Sequence, residues 1–142
     1  MPVSFFDTNV LVYLASGDSV RAGRAEQLVA RGGTISVQVL NELANVCRCK
    51  MLLSWTETSS FLATIRSLLS VNPITATTHE DALALSERYE ISFYDALIVA
   101  AALNARCETL WSEDMQDGMR IERRLRIVNP FAKRPRRVAA EP

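Results

Sequence analysis

Short apolar segments alternate along this chain with longer segments of helical periodicity, and this alternation constrains the fold more than any other feature of the sequence. The apolar runs that we predict as strands cover residues 3–6, 34–37, 71–75, 109–111 and 125–128. Single or paired helices are predicted between them. Strands that are separated by helices form parallel sheets with helices on both faces. We therefore predict a three-layer α/β/α fold with a short, mostly parallel central sheet of about four or five strands.

The most apolar helix is predicted around residues 96–103, where every side chain is Ala, Leu, Ile or Val. A helix that is apolar on all sides has to be buried. Ser92 and Asp95 precede this segment with the spacing of a helix N-cap and its partner, and Thr78 and Asp81 repeat that spacing. The buried helix is expected to open toward the sheet edge and to place Asp95 in a recess.

The charge of the chain is balanced overall but uneven along its length. There are 16 basic and 16 acidic residues, and residues 132–142 hold four of the former and one of the latter. We predict one folded domain over residues 1–131 and a basic, disordered tail over residues 132–142. Because the body is mildly acidic, no broad basic face is expected, and contact with nucleic acid would be local and metal-assisted.

The cysteines and the single histidine exclude two common classes of small domain. Cys47, Cys49 and Cys107 are odd in number and do not form a disulfide framework, and His79 alone is too few nitrogen ligands for a typical zinc site. We interpret the cysteines as small core residues in a reducing cytosol. No signal peptide or membrane-spanning apolar run is recognisable, so we expect a cytoplasmic protein.

Acidic residues follow several predicted strands or open the buried helix. Asp7 comes directly after the first strand, Glu42 lies in the helix after the second, and Asp95 is in the first turn of the buried helix. Asp114 and Asp117 follow the fourth strand. Each also has an ordinary structural explanation. Asp7 could cap a turn, Glu42 could be a solvent-exposed residue at the edge of an apolar helix face, and Asp95 could interact favourably with the helix dipole. Asp114 and Asp117 could belong to a polar turn. Since ligands of open parallel sheets bind beyond the carboxyl ends of the strands, the same acids are candidates for one site.

These carboxylates are more informative together than singly. Carboxylates that are brought together repel one another, and some stay protonated unless a cation neutralises them. Donor sets made only of oxygen suit Mg²⁺ or Mn²⁺. Mg²⁺ keeps several of its waters, and a bound water is a ready nucleophile. The pattern therefore favours metal-dependent hydrolysis of an anionic phosphodiester.

The motifs around these acids resemble those of the PIN-domain nucleases, and especially the VapC-type toxins of bacterial toxin–antitoxin pairs. They are FDTN at residues 6–9, SxQVLNE at residues 36–42, YDALIVAAA at residues 94–102 and WSEDMQDG at residues 111–118. Their order and spacing carry the resemblance, which extends from residue 3 to about residue 129.

The resemblance implies a PIN-like fold, a Mg²⁺ or Mn²⁺ cofactor, an RNA substrate, a homodimer and a cognate antitoxin that inserts a segment at the active site. The resemblance places Asp114 as the fourth acid, but because family members vary most in the last motif, the choice between Asp114 and Asp117 stays open. The residues that it assigns are the metal-binding acids Asp7, Glu42, Asp95 and Asp114, the supporting residues Thr8, Asn9 and Ser112, and the accessory acid Asp117.

From the residues and the resemblance we predict a divalent-metal-dependent endoribonuclease that is the toxin of a toxin–antitoxin pair. Asp7, Asp95 and Asp114 would hold the cation, and Glu42 would place or deprotonate the attacking water. Two alternatives stay open: an RNA-processing PIN nuclease that is not a toxin, and a PIN-like module that binds RNA or protein without cutting. A phosphoacceptor domain is disfavoured, because neither lysine of the sequence ends a predicted core strand.

Overall fold

The computed structural model of the chain describes residues 3–132, which form one sheet surrounded by helices. The strands are β1 (Ser4–Phe6), β2 (Thr34–Ser36), β3 (Ser70–Asn72), β4 (Thr109–Trp111), β5 (Arg120–Ile121) and β6 (Leu125–Val128). The helices are α1 (Thr8–Val12), α2 (Ser19–Val29), α3 (Val37–Cys49), α4 (Trp55–Leu68), α5 (Ala76–Tyr89) and α6 (Phe93–Asn104), and a 3-10 turn over Tyr13–Ala15 follows α1.

The order of strands across the sheet is β3-β2-β1-β4-β6-β5, and every neighbouring pair except β5 with β6 is parallel. The chain moves from β1 through β2 to β3 in one direction and then returns past β1 to β4. Because crossovers between parallel strands are right-handed, this reversal places the helices of the return crossover on the opposite face of the sheet. The predicted three-layer, mostly parallel α/β fold is confirmed.

The centre of the molecule is made by β1 and α6. Phe5 and Phe6 of β1 have no exposed surface, and every residue from Ala96 to Leu103 of α6 is buried. Helix α5 packs against α6 and covers one of its sides. The prediction that the all-apolar helix is buried is therefore confirmed, and its N-terminus carries Asp95.

Gly33 lets β2 start close against β1. Its φ is +155°, and a Cβ there would lie 2.7 Å from Phe6 Cε2 and 2.8 Å from the Ser4 carbonyl oxygen. A side chain at this position would push on the strand that leads directly into Asp7.

The sheet has six strands, one more than the five segments predicted. Strand β5 was missed because it is only two residues long and carries no strand signal of its own. It pairs with β6 across the turn of Glu122, Arg123 and Arg124. The N-cap of α5 was also predicted wrongly. The cap is Thr75, whose side chain accepts a hydrogen bond from the Thr78 amide, and not Thr78 with Asp81.

The predictions for the cysteines were partly correct. Cys47 and Cys107 are buried as predicted, but Cys49 is exposed and is not a core residue. The predicted disordered tail lies outside the described residues except for Ala132. Within residues 3–132 no helix is long and apolar enough to cross a membrane.

Candidate active site

The candidate site lies at the carboxyl edge of the sheet, between β1 and β4, where the direction of the chain reverses. Phe6 and Trp111 end the two strands in register, and the Asp7 amide donates to the Trp111 carbonyl oxygen at 2.9 Å. Ligands of open α/β sheets bind at such reversal points. Asp7 and Ser112, the first residues after the two strands, therefore become neighbours.

Asp7 is the most buried acid of the site, with 5% of its surface exposed. Its Oδ1 accepts from the Thr8 amide at 2.7 Å and thereby caps α1, while Oδ2 accepts from Ser112 Oγ at 2.7 Å. Burial raises the pKa of Asp7 to about 6, and the negative charges of Asp95 and Glu42 add to this increase. The hydrogen bonds from Ser112 and Thr8 oppose it but are outweighed.

Glu42 projects from α3 and is held by two donors. Thr8 Oγ1 donates to Glu42 Oε1 at 2.5 Å, and Gln38 Nε2, one helical turn earlier, donates to Oε2 at 3.0 Å. The carboxylate thus has a fixed orientation and is half-buried.

Asp95 lies in the first turn of α6, as its spacing from Ser92 predicted. Its amide donates to the Ser92 hydroxyl at 3.2 Å. Burial raises the pKa of the Asp95 carboxyl above its usual value, and the charges of Glu42 and Asp114 raise it further. The pKa shift therefore reflects both desolvation and repulsion between acids from different elements.

The two aspartates of the last motif, Asp114 and Asp117, lie in different surroundings. Asn9 Nδ2 donates to Asp114 Oδ2 at 3.2 Å and to Asp7 Oδ2 at 3.1 Å, so one amide group bridges two acids. Asp117 instead accepts from the Asn129 amide at 2.8 Å and does not line the pocket that contains Asp114.

One open pocket of 630 Å³ contains all the acids proposed as metal ligands. They come from the segments that follow β1, β2 and β4 and from the start of α6, so the topology brings together residues as far apart as positions 7 and 114. Thr8 and Asn9 also line the pocket, and Ser112 lies fully buried behind Asp7. The described residues that line it are Asp7, Thr8, Asn9, Val12, Tyr13, Gln38, Asn41, Glu42, Asn45, Val46, Lys50, Asp95, Glu113 and Asp114.

Lys50 and Gln38 are pocket residues whose roles the sequence analysis missed. Lys50, at the end of α3, is the only cationic side chain among the described residues that line the pocket. Gln38 precedes Glu42 by four residues on the same helix, and this helical spacing is a signal that predicts contact between them.

Tyr13 and Glu113 were assigned no role from the sequence: Glu113 lies in the last motif, but no local pattern identifies its contact with Tyr13. Tyr13 Oη donates to Glu113 Oε1 at 2.7 Å, and Arg21 Nε lies 3.5 Å from Glu113 Oε2. The Glu113 amide donates to Asn9 Oδ1 at 2.9 Å. These contacts join α1, α2 and the loop after β4, and they depend on the packing of segments about a hundred residues apart.

The pocket fits a hard divalent cation by its donor chemistry, because carboxylate and amide oxygens dominate its lining. Within residues 3–132 no three His, Cys, Asp or Glu side chains lie close enough together to ligate one ion. Mg²⁺ does not require such a cage, since it usually keeps several waters and binds one or two carboxylates directly.

Comparison with known proteins identifies the fold. Residues 4–119 match the family model of the PIN domain. The chain is similar to the toxin–antitoxin complex from Klebsiella pneumoniae, with a TM-score of 0.69 and 24% identity over 90% of this chain and 98% of that one. No curated protein matches the sequence.

Two further solved structures are similar over most of both chains. VapC20 from Mycobacterium tuberculosis, described as a sarcin–ricin loop cleaving toxin, has a TM-score of 0.64 and 23% identity, covering 78% of this chain and 89% of that one. VapBC2 from Rickettsia felis, solved with a DNA fragment from its promoter, has a TM-score of 0.65 and 25% identity, covering 88% and 96%.

Proposed function

This chain belongs to the PIN domain family, and we propose that it is a divalent-metal-dependent endoribonuclease that hydrolyses RNA phosphodiester bonds in its acidic pocket. The observation that carries the proposal is the convergence of Asp7, Glu42, Asp95 and Asp114 on one pocket. The pKa of Asp7 is raised to about 6, which means that this site disfavours the ionised form of its carboxylate. A bound divalent cation would remove that penalty.

Each residue of the pocket has a distinct task in this proposal. One or two of Asp7, Asp95 and Asp114 would bind the ion directly and the others through its waters, and when bound it supplies Lewis-acid activation of the phosphodiester and of the attacking water. Glu42 would orient that water, because Thr8 and Gln38 fix its carboxylate, and it would accept the water's proton as the water oxygen bonds to phosphorus and the ester oxygen leaves.

The supporting residues keep the acids in place. Ser112 and Asn9 each donate to Asp7 Oδ2, and Asn9 also holds Asp114. Lys50 is placed to contact a phosphate of the substrate, since it lines a pocket that otherwise repels an anion.

We further propose that the chain is the toxin of a toxin–antitoxin pair. The similar toxin–antitoxin complex from Klebsiella and the sarcin–ricin loop cleaving toxin from Mycobacterium support this proposal. A cognate antitoxin would silence the protein by covering the pocket. Assembly into a homodimer stays a prediction.

Cleavage of total RNA with Mg²⁺ or with EDTA tests the proposed activity. We expect Mg²⁺-dependent cleavage that Asp7→Asn and Asp114→Asn each reduce by at least about a hundredfold, because each removes a ligand charge. Asp117→Asn should keep most of the activity, since Asp117 bonds to the Asn129 amide outside the pocket.

Asp81→Asn is the matched control, because Asp81 is a half-exposed aspartate of α5 that does not line the acidic pocket. Circular dichroism checks that each variant is folded. Full activity of folded Asp7→Asn would contradict the proposal. Cleavage by no form of the protein would favour the alternative of a PIN-like module that binds without cutting.

A further inference from the structure

Exposed arginines cluster around the hairpin of β5 and β6, at some distance from the acidic pocket. Arg120 of β5 and Arg126 of β6 are direct cross-strand partners, and Arg123 and Arg124 lie in the turn between the strands. Arg106, after α6, lines the same groove as Arg124. All five are exposed, and we call them the arginine hairpin.

The fold does not require arginine at these positions. Alternation along β5 and β6 buries Ile121, Leu125 and Ile127 and turns Arg120 and Arg126 outward, where any polar residue would serve. Like charges directly opposite each other on paired strands are destabilising. The pair therefore opposes folding, and a bound anion would relieve its repulsion.

The five arginines of the hairpin outnumber the acids beside them, Glu108 and Glu122. Within residues 3–132 none of these arginines forms a salt bridge. Glu122, the acid of the turn, is already occupied, because Arg88 Nη1 and Tyr89 Oη each donate to its Oε2 at 2.7 Å. Glu108 is the acid that lines the groove with Arg106 and Arg124.

The hairpin turn and the acidic pocket lie at opposite ends of the parallel strands. Strand β6 is parallel to β4, and β4 is parallel to β1. The pocket follows the carboxyl ends of β1 and β4, whereas the turn of Glu122, Arg123 and Arg124 precedes β6 at its amino end. A ligand that contacts both sites must extend along the molecule.

We propose that the arginine hairpin binds the phosphate backbone of a folded RNA substrate whose scissile bond lies in the acidic pocket. This inference rests on the proposed ribonuclease function. Guanidinium groups match phosphate oxygens with two parallel hydrogen bonds each. The proposed contact is local, as expected for a mildly acidic body without a broad basic face, and it adds a cluster of arginines to the metal-assisted contact in the pocket.

A protein partner fits the hairpin less well than RNA. Hot spots of protein interfaces are enriched in Trp and Tyr as well as Arg, and the buried core of an interface is more apolar than its rim. The hairpin offers arginine without such apolar neighbours: the large hydrophobic side chains exposed on the described part of the chain are Val3, Val20, Leu52, Trp55, Leu68, Leu83 and Tyr94.

Binding of a labelled stem-loop RNA to the Asp7→Asn protein tests the inference without cleavage. The substitutions R120Q/R126Q are introduced into this Asp7→Asn parent protein. The matched control is R31Q/R66Q in the same parent, which removes two exposed arginines outside the hairpin. Losing two phosphate contacts should flatten the salt dependence. Between about 50 and about 200 mM salt, R120Q/R126Q should lose about tenfold less affinity than the parent protein.

Two further results are expected. R31Q/R66Q should keep the salt dependence of the parent, and R120Q/R126Q should unfold at the same temperature or a higher one, because a like-charge pair is removed. Equal salt dependence for R120Q/R126Q and the parent would overturn the inference, as would an equal loss in R31Q/R66Q. Binding of polyglutamate that R120Q/R126Q abolishes, with RNA binding unchanged, would overturn it in favour of an acidic protein segment.

The binding comparison and the cleavage assay fail independently. If R120Q/R126Q does not change RNA binding but the protein cuts RNA with Mg²⁺, the RNA-binding role of the arginine hairpin is rejected and the proposed ribonuclease activity stands. Absence of metal-dependent cleavage rejects the nuclease, whatever the binding result.

Discussion

Tyr13 fixes the position of an acid that lies beside the proposed metal ligands. Its hydroxyl donates to Glu113 at 2.7 Å, and Arg21 pairs with the other oxygen of that carboxylate. These contacts fix the Glu113 carboxylate, while the Glu113 amide donates to Asn9 Oδ1 and Asn9 in turn donates to Asp114. The contacts of Tyr13 therefore reach Asp114 through two intermediate residues.

We expect Tyr13→Phe to weaken Mn²⁺ binding by a few-fold and by no more than about tenfold, because loss of a residue that contacts a metal ligand typically costs tenfold or more and Tyr13 acts less directly. Electron paramagnetic resonance of Mn²⁺ bound to the protein measures this without cleavage. Tyr89→Phe is the matched control, since Tyr89 donates to Glu122 at the same distance of 2.7 Å but lies outside the pocket. Equal Mn²⁺ affinity in the two variants would reject the positioning role.

The residues of the site differ in how far sequence alone identifies them. Asp7 and Asp95 stand at fixed offsets from a strand end and a helix cap, so local patterns are enough to propose them. Glu42 is identified less directly, through its place in a motif. Tyr13 has no such marker, because the Glu113 carboxylate that it binds lies a hundred positions later.

At the level of elements, the start of α6 was predicted correctly, because a single cap, Ser92, satisfies its first turn. At α5 two threonines compete. Thr75 is the cap, because its side chain accepts a hydrogen bond from the Thr78 amide and the Thr78 side chain accepts one from the Thr75 amide. The spacing of residues in the sequence does not distinguish this pairing from one of Thr78 with Asp81.

This assignment predicts different costs for two substitutions in α5. Thr75→Ala should lower the free energy of unfolding by about 1 kcal/mol, because it leaves the Thr78 amide without its capping acceptor. Asp81→Asn should change it by less than about 0.5 kcal/mol, as a surface substitution away from the cap. Urea denaturation measures both. A larger loss in Asp81→Asn than in Thr75→Ala would restore the cap predicted from sequence.

Strand β5 was missed for a different physical reason. Its two residues bury a single side chain, Ile121, so no alternation can be read from them. The strand exists because the turn closes it onto β6, with Glu122 and Arg123 at positive φ values of 53° and 57°. Its pairing is set by the edge of the sheet and not by its own composition.

At the scale of the whole molecule, the topology gathers acids that the chain keeps apart. The alternation of strands and helices predicted the parallel sheet, and the rule that ligands bind beyond its carboxyl edge predicted a shared pocket. Composition could not predict the charge distribution, because a formal charge of zero hides acids at one edge and arginines at the other.

The acidic pocket should make the stability of the metal-free protein depend on pH. Folding raises the pKa of Asp7 from 3.8 to about 6, so the folded state binds this proton more tightly than the unfolded state does. The resulting stabilisation is fully present below pH 3.8 and is lost as the pH rises through about 6. A shift of this size corresponds to about 3 kcal/mol.

Asp7→Asn should remove this dependence, because an amide in the same place does not titrate. In EDTA, the stability of the natural protein relative to Asp7→Asn should therefore fall between about pH 4 and about pH 7, as measured by urea denaturation. Mg²⁺ should raise the unfolding temperature of the natural protein more at about pH 7.5 than at about pH 5, because protons compete with the cation for the same carboxylates. Asp7→Asn should gain less from Mg²⁺ at either pH. A difference between the two proteins that does not change with pH, together with equal stabilisation by Mg²⁺, would mean that Asp7 neither carries the buried charge nor contributes to holding the ion.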